Sequence, residues 1–315
     1  MWKDVIGHLS QIEMLKSHIA SGQMDHAYLF AGIKGLGKTM VAMEFFKAIN
    51  CLKTPGDPCD SCPSCIKAIS GNHPDLVKIG LKSGNRIKVE DVRSALEGIA
   101  LRPFEARFRV VIIEPAELMN QASSNAILKT LEEPPDTTIF ILIAHKPSLL
   151  LPTIISRCQR IRFTPIDPKA IYEMTQSKID PFVISLSSGA IGTMVSSDAD
   201  FILECRKGII SIFKGSDPFS LASNLASSVK ANRDLIPVMI STIESVIRDI
   251  IVMKDGGDNI INRDIYDIPF RHITSYDIGQ ILDCIHEIRC GVNDNINLKV
   301  AVSELFLKLA RIISP

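Results

Sequence analysis

One segment, residues 26–41 (HAYLFAGIKGLGKTMV), limits the fold of this chain more than any other. An apolar run over 27–31 predicts a buried strand, and a helical pattern begins near Gly37. The turn between them matches the phosphate-loop pattern GxxxxGK[ST]. In such a loop the backbone N–H groups surround phosphates, the lysine neutralises their charge, and the Ser or Thr hydroxyl can ligate Mg²⁺. The loop residues concerned are Gly32, Gly35, Gly37, Lys38 and Thr39. The sequence therefore predicts a nucleotide-binding fold rather than an ordinary glycine turn.

Length and charge exclude few classes of protein. The 315 residues predict two or three domains, and 35 basic residues balance 35 acidic ones, so no overall positive field indicates nucleic acid. No apolar run is long enough to cross a membrane, and the N-terminal segment lacks the apolar core of a signal peptide. We therefore expect a cytoplasmic protein, in which the eight cysteines are metal ligands or buried thiols rather than disulfides.

Four cysteines follow the first helix of the nucleotide-binding segment with the spacing C-x7-C-x2-C-x2-C. They are Cys51, Cys59, Cys62 and Cys65. A C-x2-C pair forms a tight turn that directs two thiolates at one tetrahedral ion, and four thiolates saturate Zn²⁺. We expect a structural zinc module over 51–65, because this loop is too polar to have a core of its own. The alternatives are that Cys51 is not the fourth ligand, or that these are spare or redox thiols. His73 is expected in a turn rather than at the metal.

The end of the apolar strand predicted over 107–113 is the second informative place. Magnesium-dependent phosphate-loop enzymes have an Asp there for the metal, and a Glu beside it commonly positions the attacking water. This chain has Glu114 and Pro115 instead. The glutamate is one methylene longer, and proline cannot act as a base. Glu117, three residues beyond the strand, is not expected to reach the site, so hydrolysis is predicted to be impaired.

Strand and helix patterns alternate through the first half of the chain, with further apolar strands at 76–79 and 138–144. This alternation predicts a parallel α/β sheet with helices on both faces. Beyond Pro165 the strand patterns stop and amphipathic helices follow. We expect three parts: an α/β domain over 1–165, a small helical domain over 166–207 and a second helical domain over 208–315.

Several motifs occur together and in a fixed order. The phosphate loop and the four cysteines are followed by NHPD at 72–75, LKTLEEPP at 128–135 and SRC at 156–158. This combination resembles the AAA+ subunits of the bacterial DNA polymerase III clamp loader, and the resemblance covers nearly the whole chain. It implies an AAA+ phosphate-loop domain with an inserted zinc module, a small helical lid and an all-α collar through which subunits assemble.

The departures from the motor subunits of that family favour a non-motor role. The ATP-hydrolysing gamma/tau subunits carry Asp-Glu after the third strand, a small polar sensor after the next strand and an arginine sensor in a lid helix. The matching places here hold Glu114-Pro115, His145 and Gly192. The chain also ends after the predicted collar, without a long extension. The resemblance implies a stator with a degenerate nucleotide site. Lys38 and Thr39 permit ATP to bind there, while the missing Asp weakens the hold on Mg²⁺. A catalytically active gamma-type ATPase is the alternative, and a different AAA+ remodeller is a weaker one.

Arg157, in the SRC motif, is the candidate catalytic residue. The resemblance implies an arginine finger that enters the site of a neighbouring subunit, where its five fixed donors suit the charge on a transferring phosphoryl group. The alternative is that Arg157 caps the preceding helix or pairs with a local carboxylate. Cys158 is expected to be buried and unreactive.

The resemblance also implies partners. These are the gamma/tau and delta subunits, the sliding clamp and the phosphates of primer–template DNA, with no membrane. A locally basic region is a candidate for DNA contact, although a solvated surface is the simpler interpretation. Its members are Lys82, Arg86, Lys88, Arg102 and Arg107.

Overall fold

The computed structural model describes residues 2–81, 85–98, 102–175, 179–187, 189–190, 192, 198–231, 235–258, 260–262, 265, 274–291 and 297–311. By its internal contacts the chain divides into two compact units, Met1–Met174 with Gly189–Gly192, and Thr175–Ser188 with Thr193–Pro315. The first unit thus extends beyond Pro165, and Lys207 lies within a continuous helix. The division into three parts stays a prediction.

The first unit alternates strands with helices. Its elements are α1 (Leu9–Ser21), β1 (Ala27–Ala31), α2 (Lys38–Asn50), α3 (Pro63–Ile69), β2 (Leu76–Ile79), α4 (Val89–Glu97), β3 (Arg109–Ile113), α5 (Gln121–Glu132), β4 (Thr138–Ala144), α6 (Pro152–Ile155), β5 (Gln159–Arg162) and α7 (Pro168–Met174). Strands β1, β2 and β4 have the bounds that the sequence predicted. Helix α3 was not predicted; it begins inside the predicted zinc module and extends beyond its end.

The five strands form one parallel sheet in the order β2-β3-β4-β1-β5. Every residue of the three central strands is buried, whereas the edge strands β2 and β5 also contain partly or fully exposed residues. Central strands of a parallel sheet are covered on both faces, which explains why they are continuous apolar runs in the sequence. The predicted parallel sheet is confirmed.

Helices cover both faces of this sheet, because successive side chains of a strand point to opposite sides. Tyr28 and Phe30 of β1 belong to one core, which also contains Phe45 and Phe46 of α2. Leu29, between them, belongs to the other core, which includes residues of α4, α5 and α6. The carboxyl ends of β1, β3 and β4 lie along one edge, and the predicted nucleotide-site residues follow these ends.

The second unit consists of helices in its described residues. They are α8 (Pro181–Leu186), α9 (Asp198–Phe213), α10 (Pro218–Ala231), α11 (Leu235–Lys254), α12 (Ser275–Gly291) and α13 (Leu298–Arg311). One large apolar core contains residues from each of the five helices α9 through α13, and Cys205, Ile243 and Phe306 are fully buried in it. Among the helices that the structure describes, none combines the length and apolar character needed to cross a membrane.

Candidate functional site

The phosphate loop connects β1 to α2 and depends on its glycines. Gly35 and Gly37 have positive φ angles of 85° and 77°, which side chains other than glycine rarely adopt. A Cβ atom on Gly32 would lie 2.5 Å from the carbonyl oxygen of Phe163, so this position has no room for a side chain. Gly37 immediately precedes α2. The loop therefore leads into a helix N-terminus, where the backbone N–H groups and the helix dipole favour anions.

Lys38, the loop lysine, is buried against the loop backbone. Its Nζ donates to the carbonyl oxygens of Gly32 at 2.7 Å and Ile33 at 2.6 Å. Burial lowers the pKa of this amine to about 8, although the negative charges of Glu114 and Glu117 oppose that shift. At neutral pH Lys38 is therefore mostly protonated, as a phosphate-binding cation needs to be, and the two carboxylates help to keep it so.

Thr39 and Glu114 form the part of the site that can ligate a metal. The Thr39 hydroxyl donates to Glu114 Oε2 at 2.7 Å, so the glutamate at the end of β3 does reach the first turn of α2. Hydroxyl and carboxylate oxygens are ligands that Mg²⁺ accepts, which means that the residues present fit a nucleotide-bound Mg²⁺. When bound, that ion would supply positive charge to the β- and γ-phosphates. Pro115 follows Glu114 directly, so the place of the second carboxylate has no base.

His145 stands at the end of β4, where the resemblance implies a small polar sensor. Its Nε2 lies 3.9 Å from Glu114 Oε1. Burial, together with the positive charge of Lys38, lowers the pKa of the imidazole. His145 is therefore neutral near pH 7 and does not add its own positive charge to that of Lys38.

Glu117 was not expected to reach this region, and that expectation is wrong. A short 3-10 helix, Ala116–Leu118, turns the chain back immediately after β3. Glu117 Oε1 then accepts the backbone N–H groups of His145 at 3.0 Å and Lys146 at 3.1 Å. This carboxylate holds the end of β4 in place and adds negative charge near Lys38.

Gly192, which takes the place of the arginine sensor, contacts the phosphate loop through its backbone. Its N–H donates to the carbonyl oxygen of Gly35 at 2.8 Å. A Cβ atom at this position would lie 2.7 Å from the same oxygen, so no side chain can be accommodated without a shift of the loop. Ile191, in the same segment, lies outside the described residues.

The four predicted metal ligands come together in the first unit. The sulfur atoms of Cys51, Cys59, Cys62 and Cys65 all lie within 4.8 Å of one another, so this cluster could hold a metal ion. Tetrahedral zinc, with Zn–S bonds of about 2.3 Å, fits a cluster of this size. Cys51 is the fourth member of this cluster, and His73 is not part of it.

Backbone N–H groups support the thiolate form of two of these cysteines, Cys51 and Cys59. Thr54 N–H donates to Cys51 Sγ at 3.3 Å, and Cys62 N–H donates to Cys59 Sγ at the same distance. A hydrogen bond from the Ser61 hydroxyl is the largest contribution that lowers the pKa of Cys59, to about 6. Thiolates are the form that binds metal.

An ion pair connects the cysteine loop to the helix of the phosphate loop. Lys47 Nζ of α2 lies 2.6 Å from Asp60 Oδ1 and 2.7 Å from Glu44 Oε1. The cysteine cluster is therefore attached directly to the element that begins at the phosphate loop.

Arg157 lies between α6 and β5, on the surface of the first unit. Its Nη2 donates to Glu132 Oε1 at 2.6 Å, and its Nη1 donates to the carbonyl oxygen of Thr153 at 2.9 Å. In the isolated chain, Arg157 thus makes both contacts that the sequence left open as alternatives, with a local carboxylate and with the preceding helix. Its role as a finger stays a prediction. The neighbouring Cys158 is half-buried rather than fully buried as expected, and this partial burial raises the pKa of its thiol to about 12, which makes it unreactive.

Sequence reasoning missed two side chains that hold this unit together. His8 Nε2 lies 2.7 Å from the carbonyl oxygen of Leu36 and so braces the phosphate loop, and no sequence signal indicated this contact. Asp75 is fully buried, and its carboxylate accepts the backbone N–H groups of residues 104, 105 and 106 at 2.7–2.9 Å. Asp75 is the last residue of NHPD. The motif therefore drew attention to this residue but did not predict that its carboxylate is buried and binds backbone N–H groups.

The predicted basic region is only partly described. Lys82 lies outside the described residues. The guanidinium of Arg107 lies 5.4 Å from the centroid of the Phe108 ring. Contact with DNA stays a prediction.

The first unit also has two cavities that lie away from the predicted nucleotide and metal sites. One, of about 340 Å³, lies between β2 and α4, and the other, of about 470 Å³, lies at the amino ends of β1 and β4. Neither is lined by a residue that the sequence predicted for the nucleotide or metal site.

Comparison with known proteins gives relatives of two kinds. The tau/gamma subunit of DNA polymerase III from Haemophilus influenzae is 36% identical over 203 residues, which are 62% of this chain and 29% of that protein. The delta' subunit from Bacillus subtilis is 28% identical over 313 residues, which are 95% of this chain and 94% of that protein. The chain thus spans about a third of the length of the tau/gamma relatives that it matches.

A solved structure and a family model agree with these relatives. A gamma subunit-related protein of DNA polymerase III from Thermotoga maritima has a similar fold, with a TM-score of 0.59 and 18% identity over 96% of this chain and 100% of that one. The model of the family "DNA polymerase III, delta subunit" matches residues 7–167, just over half of the chain. The chain therefore belongs to the DNA polymerase III delta-subunit family, a family of clamp-loader subunits.

Proposed function

We propose that this chain is a non-motor clamp-loader subunit of the delta-prime type. It assembles with gamma/tau and delta subunits into a hetero-pentamer that loads the sliding clamp on primed DNA in the cytoplasm. Within that assembly it is a stator: it fixes the geometry of its neighbours and extends Arg157 to an adjacent ATPase site. Its own nucleotide site binds ATP and Mg²⁺ without efficient cleavage, and Zn²⁺ on the four clustered cysteines has a structural role.

The observation that carries this proposal is a phosphate loop without the acidic pair for hydrolysis. Lys38 and Thr39 are placed for phosphates and metal, and Glu114 reaches Thr39. The next residue is Pro115, which cannot position or deprotonate a water molecule. A residue that activates the attacking nucleophile is a recurring part of phosphoryl-transfer sites.

Two further observations support the same proposal. Gly192 packs its backbone on the loop where a second positive side chain would be needed, and no side chain fits there. The relative that matches along almost its whole length is a delta' subunit, whereas tau/gamma relatives match over about a third of theirs.

Arg157 would act through charge and geometry at the neighbouring site. A guanidinium that reaches a transferring phosphoryl group donates two parallel hydrogen bonds and stabilises the charge that develops on its oxygens. Its charge does not depend on pH in the physiological range, because the pKa of arginine is far above neutrality.

Steady-state phosphate release in Mg-ATP tests the proposal against an active gamma-type ATPase, which would itself need a finger from a neighbouring subunit, so it is measured on the purified chain and on the reconstituted clamp loader. We expect the purified chain to turn over far below about 1 per second, the low end for ordinary enzymes, and Lys38→Ala in this chain to leave the turnover of both samples unchanged. Turnover near that value, abolished by Lys38→Ala, would overturn the proposal in favour of the active ATPase. Calorimetric titration with Mg-ATP then measures binding separately from cleavage, with Lys34→Ala as a control for an exposed loop lysine.

A further inference from the structure

Two of the motifs in this chain meet at Arg157. Glu132 is the last residue of α5 and belongs to LKTLEEPP, whereas Arg157 belongs to SRC and follows α6. The two residues are 25 positions apart in the sequence, yet Arg157 Nη2 lies 2.6 Å from Glu132 Oε1. Nη1 of the same guanidinium is bonded to the Thr153 carbonyl oxygen at 2.9 Å. The arginine is thus held by two elements of the first unit.

These contacts compete with the task proposed for Arg157. Bidentate hydrogen bonding to a phosphate uses two parallel N–H donors of the guanidinium. Both terminal nitrogens of Arg157 already donate to groups of its own chain, so the guanidinium must give up at least one of them to grip a phosphate in this way.

The ion pair is weak enough to open. The side chains of Arg157 and Glu132 are 34% and 51% exposed, so water and salt screen their attraction. A nucleotide phosphate carries more negative charge than a carboxylate, and under the proposed function a subunit interface would enclose it. It is therefore the stronger acceptor once a neighbour supplies it.

We propose that Glu132 is a positioning residue that holds Arg157 against its own chain until the phosphate of a neighbouring nucleotide replaces the Glu132 carboxylate. The inference rests on the proposed function, since it requires that Arg157 enters a neighbouring site. It assigns to Glu132 the regulation of that entry: a subunit outside the assembly keeps its finger withdrawn, and assembly around ATP releases it.

Glu133 provides a matched control. It follows Glu132 directly, caps the end of α5 and is exposed, but the contact with Arg157 belongs to Glu132. The substitutions Glu132→Gln and Glu133→Gln remove the same charge from the same helix end. Any difference between them therefore reports the contact with Arg157 and not the net charge or the helix dipole.

The first measurement uses the isolated full-length chain and does not depend on the function. Phenylglyoxal modifies accessible arginines, and peptide mass spectrometry gives the rate at Arg157. We expect Glu132→Gln to raise this rate about two- to five-fold, the range that an exposed ion pair supports, with Glu133→Gln unchanged. High salt should bring the wild-type rate close to that of Glu132→Gln. Equal rates in all three chains at low salt overturn the proposal.

The second measurement uses the reconstituted clamp loader. Release of Arg157 from Glu132 should raise kcat/KM for ATP up to about five-fold in Glu132→Gln relative to Glu133→Gln. If Arg157→Ala lowers turnover but Glu132→Gln does not change kcat/KM, Glu132 does not compete with the phosphate and the proposal fails. If Arg157→Ala itself has no effect while the phenylglyoxal rates differ, the contact exists but the finger, and with it the proposed function, is wrong.

Discussion

Asp75 shows how one buried side chain can set the shape of a surface loop. Its carboxylate accepts three backbone N–H groups from residues 104–106 and lies 3.3 Å from Arg109 Nη2. These bonds hold the loop in front of β3 and leave the Phe104 side chain 83% exposed. A carboxylate that is fully buried needs such partners, because an unpaired buried charge is strongly destabilising.

We predict that Asp75→Asn destabilises the fold by about 2–4 kcal/mol, because an amide can accept fewer of these bonds and leaves Arg109 without its carboxylate. Urea denaturation at pH 7 measures this difference. Asp136→Asn, at an exposed carboxylate of the same unit, should change the free energy of unfolding by less than about 0.5 kcal/mol. An Asp75→Asn protein as stable as Asp136→Asn would show that the loop is held by other contacts.

The pH dependence of this difference has a definite sign. Burial alone would raise the pKa of Asp75, but the backbone N–H groups and Arg109 together hold it below its ordinary value of 3.8. A carboxyl group whose pKa is lower in the folded state stabilises the fold above its unfolded pKa and loses this contribution as the pH falls through the folded one. The difference in the free energy of unfolding between wild type and Asp75→Asn should therefore be constant from pH 7 to about 5. It should shrink as the pH falls below about 4.

The cysteine loop is the element whose stability we expect to depend most on a metal. It has only a seven-residue helix, α3, and its apolar cluster consists of the four cysteines themselves. Structural zinc sites supply the free energy that such a loop cannot obtain from a core. Because Lys47 and Asp60 join this loop to α2, its order is expected to extend to the helix that begins at the phosphate loop.

We predict one zinc ion per purified chain and its loss in Cys62→Ser, since three thiolates and a hydroxyl bind zinc far less tightly than four thiolates. Elemental analysis measures the zinc, and limited proteolysis should then cut within 51–65 before it cuts the sheet. Cys158→Ser changes a thiol outside the cluster and should keep its zinc. A metal-free wild-type chain that resists proteolysis in this loop would rule out a structural zinc.

The elements show which parts of this molecule can be predicted from sequence. Strands β1, β2 and β4 were located to the residue, because apolar runs between turn signals leave little freedom in a parallel sheet. Helix α3 was missed because it is short and begins within the cysteine spacing, and its start depends on Cys62, whose sulfur accepts the Cys65 N–H. Glu117 was misplaced because a 3-10 turn after β3 redirects it, and no periodic pattern marks such a turn.

At the scale of the whole molecule, the chain has the binding half of one catalytic site and the candidate arginine for another. The phosphate loop, Thr39 and Glu114 can hold a nucleotide, while Pro115 and Gly192 leave out the groups that would help to cleave it. Arg157 is on the surface of the same unit and is paired only with groups that an incoming phosphate can displace. Under the proposed function, such a chain would contribute to turnover only when a second subunit is present.

We therefore predict that Arg157→Ala leaves the chain folded and the clamp loader assembled but lowers ATP turnover of the complex. At the site that Arg157 faces, the loss should not exceed the factor of about 10³–10⁵ that arginine fingers supply. The loss in total turnover should be smaller, because sites that do not face this subunit keep their own activity. Arg160→Ala is the matched control, since Arg160 is an exposed arginine three residues further along on β5. Circular dichroism and size-exclusion chromatography establish folding and assembly, and steady-state phosphate release measures turnover. A complex that contains Arg157→Ala and hydrolyses ATP as fast as the Arg160→Ala complex would exclude the finger, because a guanidinium that stabilises the transition state cannot be removed without a loss of rate.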